Sequence, residues 1–452
     1  MLHGTLWDKI PRFAVPVAAT AILSQLFNAA DIAVIGNFTG ELRTVAVAAV
    51  GTNSSIISLI VNLFIGIALG ANVTIAHAIG EKNDTMVHHA VHTSIVVAVL
   101  GGLIAAVIGE LFAVPLLNQL NVPDDVFPLA LLYLRIYLAG LPVILLYNFE
   151  AAVFRSVGET KIPLIALASS GVLNVLLNLF FVIVCKLDVA GVALASTIAQ
   201  CVSAGLILHA LTKVSDCYAL DFRKVRLDLN MTKRILMLGV PAGLQNAIFA
   251  IANLFIQAGV NSFDSLMVKG NSAAANADAM VYDAMAAFYM ACASFMSQNY
   301  GAGKLDRVKK SYFIALAYSF GLGAVLGGGL LVFGRQFLAL FTTESAVIDA
   351  GMKRIMVMGW AYCTSAFMDC TIAASRGLGK TVGPTVIVIL GSCVFRVAWV
   401  YTIFAHFHTI PALYLLYPCS WALTAAAEIA YFVFSYRHAA LRLQERDALA
   451  QL

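Results

Sequence analysis

Twelve long apolar runs, separated by short polar connections, dominate this chain of 452 residues. A helix that crosses a bilayer needs about 20 mostly apolar residues, because the hydrocarbon layer is about 30 Å thick. Only 12% of the residues are charged, compared with roughly 25% in soluble domains. The runs predict helices over residues 13–36, 45–72, 88–113, 128–152, 162–184, 190–213, 233–260, 272–298, 311–334, 352–373, 384–405 and 412–436. The predicted fold is therefore an all-α polytopic membrane protein.

The two halves of the chain resemble each other in sequence. The segment FRSVGETKIP recurs as SRGLGKTVGP, and Pro16 near the start recurs as Pro241. An even number of helices per repeat gives both halves the same orientation, related by a pseudo-twofold axis along the membrane normal. The predicted organisation is an N-lobe over residues 1–213, a cytoplasmic connection over 214–232 and a C-lobe over 233–452.

Basic residues indicate the orientation of the chain. Most of the 28 lysines and arginines lie in connections on the side of both termini, and only Arg135 and Arg396 are predicted within spans. The positive-inside rule then predicts cytoplasmic termini in a cell inner (plasma) membrane. The eight cysteines are scattered, mostly within apolar runs, and are predicted to be small buried hydrophobic residues.

An acidic residue inside the first apolar run is the strongest candidate for function. A charge at the centre of a spanning helix costs roughly 2.5–3.5 kcal/mol on insertion scales. Gln25, Asn28 and Asp31 recur every three residues, which places them along one stripe of the helix. Asp31 is predicted to bind and release a proton or to ligate sodium, and the alternative is a neutral or paired aspartate that holds helices together.

Amides in the fifth run provide a second polar face. Asn174 and Asn178 are four residues apart, so they lie on one side of a helix. Hydrogen bonding between helices is the alternative role for such amides. The matching stripe of the seventh run contains Asn253 and Gln257 and no acid, so the duplication has become chemically asymmetric.

The second half carries its acids elsewhere. Asp278 and Asp283 lie in the eighth run and Asp369 in the tenth. Asp278 is predicted near the outer end, in contact with water, whereas the other two are deeper. Asp369 is predicted to be a functional acid, with a structural ion pair to Arg396 as the alternative.

An aromatic and methionine-rich surface follows the acids of the eighth run. Tyr282, Met285 and Tyr289 are candidates for contact with an apolar ligand, since such side chains adapt to varied shapes. The alternative is a surface that faces lipid or the protein core.

Three other polar features are predicted to be incidental. Glu150 and Glu428 lie close to predicted span ends and are expected to reach water. The cluster of His88, His89 and His92 is predicted to form a solvated helix start. The motifs GxxxxGK[ST], HExxH and GxSxG do not occur, so neither ATP-driven pumping nor a familiar hydrolase is indicated.

The chain resembles the multidrug and toxic compound extrusion (MATE) family along essentially its whole length. The resemblance rests on AVPVAATAILSQLFNAADIAVIG, SGVLNVLLNLFF, SFMSQNYGAGK and the two repeated loop segments. It implies a V-shaped, two-lobed antiporter that exports an organic cation or amphiphile in exchange for protons or sodium. A lipid or lipid-linked oligosaccharide flippase is the alternative, and a membrane enzyme or receptor is a remote one.

The resemblance also implies roles for individual residues. Asp31 matches the N-lobe coupling carboxylate, Asn174 matches the family's helix-5 asparagine, and Thr197 matches a threonine that joins them. Asn178 stands where many bacterial members have aspartate, which argues against sodium at this site. Asp369 matches a helix-10 carboxylate, and Asp278 or Asp283 would replace the helix-7 acid that this chain lacks.

The expected partners follow from this reading. They are the lipid bilayer and a small organic cation or amphiphile, without nucleic acid. No cofactor is expected beyond the coupling ion, and the chain is expected to function as a monomer.

Overall fold

The computed structural model describes residues 1–40, 43–120 and 122–449. In these ranges twelve helices are long and apolar enough to cross a membrane. In chain order they are α1 Leu6–Phe38, α2 Thr44–Gly80, α3 Asp84–Gln119, α4 Phe127–Val157, α5 Lys161–Val184, α6 Asp188–Lys213, α7 Leu229–Asn261, α8 Ser265–Gly301, α9 Leu305–Leu338, α10 Ser345–Gly377, α11 Val382–Phe407 and α12 Ile410–Glu445. The prediction of a twelve-helix, all-α membrane protein is confirmed.

The helices are longer than the apolar runs that predict them, because polar turns at their ends are also hydrogen-bonded and capped. Asn83 caps α3 by accepting from the Met86 backbone N–H, and Asp264 caps α8 in the same way through Met267. Arg354 lies within α10, which begins at Ser345, and its side chain is buried, so the prediction of only two basic residues within spans was wrong. Arg354 falls inside the predicted run 352–373 as well.

Contacts divide the chain into two compact units. The C-terminal unit consists of Met1–Ala18, Ile79–Lys82 and Leu244–Leu452, and the N-terminal unit consists of Ala19–Ala78 and Asn83–Gly243. The start of α1 belongs to the C-terminal unit because Ile10 and Phe13 are buried against α8 residues such as Phe295. The lobe boundaries predicted from the repeat stay predictions.

Glycines bring helices close together inside each unit. In the N-terminal unit, a Cβ on Gly102 of α3 would lie 2.3 Å from Pro142 Cα of α4. In the C-terminal unit, Gly327 of α9 meets the backbone carbonyl of Gly359 in α10 in a similar way. Close backbone approach at small residues is a common means of packing helices in lipid. These crossings help to fix which side chains meet in each unit.

Candidate functional site

Asp31 lies in a polar network that three helices of the N-terminal unit form. Its side chain is 8% exposed. Its Oδ1 accepts a hydrogen bond of 2.5 Å from Asn178 Nδ2 of α5, and its Oδ2 accepts one of 2.9 Å from Ser196 Oγ of α6. Both donors are neutral, so hydrogen bonds rather than a counter-charge stabilise the carboxylate.

Asn174 joins the same network one helical turn before Asn178. Its amide lies 3.1 Å from Asn178 Nδ2 and 3.1 Å from Ser196 Oγ. With its nitrogen turned toward α1, it donates to Asp31 Oδ1 at 2.9 Å. The predicted face of α5 therefore meets the predicted acid of α1.

Thr197 does not provide the hydroxyl that was predicted for this network. Its Oγ1 donates to the carbonyl of Ala193, in its own helix, at 2.8 Å, and its side chain lies against Gly140 of α4. Successive helical residues point about 100° apart, so the preceding residue, Ser196, faces Asp31 instead. The assignment to Thr197 was wrong by one residue.

The other two members of the predicted α1 stripe differ from Asp31 in their surroundings. Gln25 and Asn28 are exposed, whereas Asp31 is buried. A groove of about 420 Å³ lies beyond Asp31 toward the C-terminal end of α1. Its lining consists of Ile32, Ala33, Gly36, Asn37, Thr44 and Val47. The groove begins at the residue that follows Asp31.

Asn178 carries one further feature that suits a titrating site. Its Oδ1 is buried and has no hydrogen-bond partner among the described residues. An amide oxygen can accept a bond from a protonated carboxyl, which an amide nitrogen cannot. The site therefore contains donors for an ionised Asp31 and an unused acceptor for a protonated one.

The C-terminal unit holds a different acidic site, which is fully paired. Arg354 Nε donates to Asp278 Oδ2 at 2.8 Å, and Tyr362 Oη donates to Asp278 Oδ1. Arg354 Nη1 donates to Asn271 Oδ1 at 2.5 Å, and Tyr414 Oη donates to the same oxygen at 2.7 Å. Asp278 is only 9% exposed, so the prediction that it contacts water was wrong.

The remaining polar candidates of α7 and α8 take different positions. Gln257 donates to Asn261 Oδ1 at 2.8 Å and accepts from Asn271 Nδ2 at 3.3 Å, which links it to the Asp278 site. Asn253 is exposed, and Asp283 is half-buried. The helix-7 amides therefore do not form a counterpart of the N-terminal network.

Asp369 is half-buried on α10, and its Oδ2 has no hydrogen-bond partner among the described residues. The ion pair with Arg396 that was considered as an alternative is not formed. Arg396 instead donates to Ser420 Oγ at 3.0 Å and lies over the ring of Tyr417. Asp369 therefore remains a functional candidate.

The three candidates for ligand contact on α8 differ in how far their side chains are buried. Met285 is completely buried in the core of the C-terminal unit, so for this residue the core alternative holds. Tyr282 and Tyr289 are half-buried, and the Tyr282 ring centroid lies 5.9 Å from that of Trp421. Only the two tyrosines retain accessible surface.

Three polar residues were misplaced by the sequence reasoning. Glu150 and Glu428 are each 0% exposed, although both were expected to reach water. His92 is 1% exposed, and its Nε2 accepts from the Asp221 backbone N–H at 3.1 Å. His89 lies 3.0 Å from Asp228, so the histidine cluster anchors the connection between α6 and α7. Their depth was underestimated because the helices extend beyond the apolar runs.

Sequence comparisons find relatives along most of the chain. The sequence profile of the MatE family matches residues 16–180 and 241–402. The probable multidrug resistance protein YoeA of Bacillus subtilis (strain 168) is 26% identical over 96% of this chain and 95% of its own length. The probable multidrug resistance protein NorM of Thermotoga maritima is 22% identical over 84% of this chain and 82% of its own length.

A solved structure has the same fold. The crystal structure of MATE in the bent conformation superposes with a TM-score of 0.87 at 21% identity. The match covers 99% of this chain and 98% of that one. At this level of identity, the likeness establishes the fold alone.

Proposed function

The chain belongs to the MatE family and is a multi-pass drug efflux transporter, and from this premise we propose that it is an antiporter driven by an ion gradient. It exports organic cations or amphiphilic drugs in exchange for protons or sodium. The observation that carries the proposal is the buried carboxylate of Asp31, whose hydrogen-bond donors among the described residues are neutral. Asp31 is the coupling residue, and Asn174, Asn178 and Ser196 position it.

The chemistry of the Asp31 site suits a reversible proton. An ionised acid at membrane depth is expensive unless a counter-charge compensates it, and here hydrogen bonds alone stabilise it. Binding of a proton removes the charge, and rotation of the Asn178 amide would present its unused Oδ1 to the new O–H group. The site thus serves both protonation states without a cationic side chain.

The same geometry favours protons over sodium. A sodium ion needs several oxygen atoms directed toward it, whereas the α5 atom that lies 2.5 Å from Asp31 Oδ1 is the amide nitrogen of Asn178. Hydrogen-bond donors occupy the carboxylate lone pairs that a metal ion would use. Asn178 also contributes no charge of its own, which leaves Asp31 as the single acid of the network.

The proposed cycle is alternating access. In this proposal the proton arrives from the outer face, which with cytoplasmic termini is the side of the groove beyond Asp31. Its binding favours the state that releases the exported molecule. A membrane potential adds about 2.3 kcal/mol per net charge per 100 mV, so no nucleotide is required. The Asp31 site supplies the coupling.

Efflux from proteoliposomes tests this proposal. Ethidium would be loaded as the cationic probe, and a pH gradient and a sodium gradient would be imposed separately. We expect the pH gradient to drive exchange and the sodium gradient to drive little. Vesicles with Asp31→Asn serve as the matched control and show only leakage. Equal exchange by wild type and Asp31→Asn under a pH gradient would overturn the assignment.

The flippase alternative receives no support from the buried arginines. A diphosphate head group requires basic side chains that are free to bind it, whereas Arg354 is paired with Asp278 and Arg396 is engaged by Ser420. We further propose that the transporter resides in the cell inner membrane with both termini in the cytoplasm, and that it functions as a monomer.

A further inference from the structure

Arg396 is a buried cation that the proposed coupling mechanism does not use. It lies in the middle of the spanning helix α11 and is only 3% exposed. Among the described residues, the arginines that pair with an acid within 4.0 Å are Arg135, Arg335 and Arg354, and Arg396 is not one of them. A charge at this depth is costly without a counter-charge, so this side chain requires an explanation.

Most of the hydrogen-bonding capacity of this guanidinium is unused. A guanidinium donates from Nε and from both Nη groups. Arg396 Nε donates to Ser420 Oγ at 3.0 Å, and neither of its Nη groups donates to a described residue. In Arg354, by contrast, all three nitrogens donate, two to Asp278 and one to Asn271. Arg396 therefore presents a free pair of charged donors.

The two free Nη groups of Arg396 are reachable. Among the described residues, the polar atoms that are both unpartnered and completely buried include Arg376 Nε, but neither Nη of Arg396. The small exposed part of Arg396 therefore includes its unused donors. A polar atom of a ligand can reach them without displacing an existing partner.

Aromatic side chains surround the guanidinium. Its Cζ lies 5.2 Å from the ring centroid of Phe249 in α7 and 4.9 Å from that of Tyr417 in α12. Ser420, which holds Nε, is itself fixed because its hydroxyl donates to the Tyr417 carbonyl at 2.9 Å. Ring faces attract a cation, but they cannot fill the in-plane positions at which its N–H groups point. All four residues belong to the C-terminal unit.

The backbone of α11 is irregular on both sides of Arg396. The residue lies in the short α-helical stretch Phe395–Trp399, between the π-helical stretches Ile389–Val394 and Val400–Phe404. π-helical turns within α-helices are rare and occur frequently at functional sites. The irregular backbone thus marks the position of Arg396 independently of its side-chain contacts.

The internal repeat places Arg396 at a meaningful position. The repeated loop segments FRSVGETKIP and SRGLGKTVGP align Asn174 of α5 with Phe395, the residue before Arg396. Asn174 belongs to the network of Asp31. The C-terminal unit therefore carries a cation with unused donors at the turn where the N-terminal unit carries an amide of its acidic site.

We propose that Arg396 forms an anion-binding site in the C-terminal unit, which takes the carboxylate of an aromatic amphiphile. Two Nη donors match the two oxygens of one carboxylate, and the rings of Phe249 and Tyr417 offer an apolar surface for the body of the ligand. A diphosphate would need several such cations. The inference deepens the proposed function, since it names a class of amphiphile, and rests on it for transport. Binding itself is independent of transport.

Tryptophan fluorescence of the purified protein in a non-ionic detergent tests the binding. The probe is anthracene-9-carboxylate, which accepts energy from nearby tryptophans such as Trp399, in the next turn of α11. The matched neutral probe is 9-anthracenemethanol, which reports partition into the micelle. We expect the wild type to bind the carboxylate about 10-fold more tightly than the alcohol, and Arg396→Gln to bind both alike. Equal affinities in the wild type, or an unchanged preference in Arg396→Gln, would overturn the proposal.

Two further variants control for charge and for misfolding. Arg335→Gln removes an arginine whose side chain is 58% exposed and is expected to keep the full preference for the carboxylate. Arg396→Lys keeps the charge but loses the planar fork, so its preference is expected to fall several-fold without disappearing. Loss of the preference in Arg335→Gln, or a wild-type preference in Arg396→Lys, would contradict bidentate binding at Arg396.

Thermal unfolding distinguishes binding from a purely structural role. A ligand that binds only the folded state raises the unfolding temperature. Anthracene-9-carboxylate is therefore expected to raise that temperature for the wild type and not for Arg396→Gln. An equal rise in both proteins would place the anion elsewhere and contradict the proposal.

Ethidium exchange separates this inference from the proposed function. If Asp31→Asn retains exchange driven by a pH gradient while Arg396→Gln loses its preference for the carboxylate, the coupling role of Asp31 fails and the anion site stands. If Asp31→Asn loses exchange while Arg396→Gln keeps the preference, the coupling residue stands and the anion site is wrong.

Discussion

Asp31 in the N-terminal unit and Asp278 in the C-terminal unit are both buried acids of spanning helices, but their surroundings are opposite. Asp31 is held by an amide and a hydroxyl. Asp278 is held by the guanidinium of Arg354 and the hydroxyl of Tyr362. The comparison shows that equal burial does not give two acids the same environment. One carboxylate has a buried counter-charge, and the other has neutral hydrogen-bond partners.

The physical reason is the free energy of the ionised state. A carboxylate that is paired with a buried guanidinium is stable without a proton, and breaking that pair leaves an uncompensated charge. A carboxylate with neutral partners gains more from protonation, so it responds to the proton concentration. The two sites therefore predict different phenotypes for the same type of substitution.

The largest expected effect is on transport. Asp31→Asn removes the titrating group and is expected to abolish ethidium exchange driven by a pH gradient, while the free energy of unfolding changes by about 1 kcal/mol or less. Exchange would be measured in proteoliposomes and stability by thermal unfolding in detergent. Asp124→Asn, an exposed acid between α3 and α4, is the control. If Asp31→Asn lowers the free energy of unfolding by several kcal/mol, as expected for loss of the Asp278 ion pair, the proposed difference between the two sites is wrong.

The next effect is on stability. Arg354→Gln leaves Asp278 buried without its cation, and we expect the free energy of unfolding to fall by about 3–5 kcal/mol. The matched control is Arg335→Gln, because the Arg335–Asp349 pair is more than half exposed. Exposed pairs contribute only about 0–1 kcal/mol. A similar decrease in the free energy of unfolding for both variants would show that the buried Arg354–Asp278 pair contributes no more than the exposed pair.

A smaller effect distinguishes two adjacent hydroxyls of α6. Ser196→Ala removes a donor to Asp31, and we expect about a 10-fold slower exchange, which corresponds to a hydrogen bond of about 1.4 kcal/mol. Thr197→Val keeps the shape of its side chain and removes only a bond to its own helix. Its exchange rate is expected to stay within about 2-fold of wild type. Slower exchange for Thr197→Val than for Ser196→Ala would instead assign Thr197 to the Asp31 site.

The smallest effect concerns an acid outside the membrane. The backbone N–H of Met231, followed by the side chain of His89, holds the pKa of Asp228 below its ordinary value. The bonds of Asp228 therefore stabilise the first turn of α7 fully above the ordinary pKa of about 3.9. This contribution disappears as the pH falls through the lower folded value.

Hydrogen exchange at the first turn of α7 measures this contribution. We expect protection of the Met231 amide to fall in acid more than protection of the Met86 amide, which the non-titrating Asn83 caps. Asp228→Asn is expected to remove the difference. Parallel loss of protection at both amides would contradict the assignment.

Helical periodicity accounts for what could be predicted at the site. Residues four apart share a face of a helix, so Asn174 and Asn178 could be placed together, and the insertion penalty marked Asp31 as exceptional. The resemblance pointed to Thr197 instead of Ser196, and a one-residue error changes the direction of a side chain by about 100°. Arg354 was counted with the connections although it lies within the predicted run and within α10.

The sequence by itself determined the number of spanning helices, the duplication and the position of Asp31 within the first apolar run, because bilayer thickness and helical periodicity act on local composition. Only the tertiary structure decided which acid has a counter-charge. The pairing of Asp278 with Arg354 joins α8 to α10, and the neutral partners of Asp31 come from α5 and α6. Such partners depend on how each helix is rotated and packed, and close contacts such as Gly102 against Pro142 help to fix that packing.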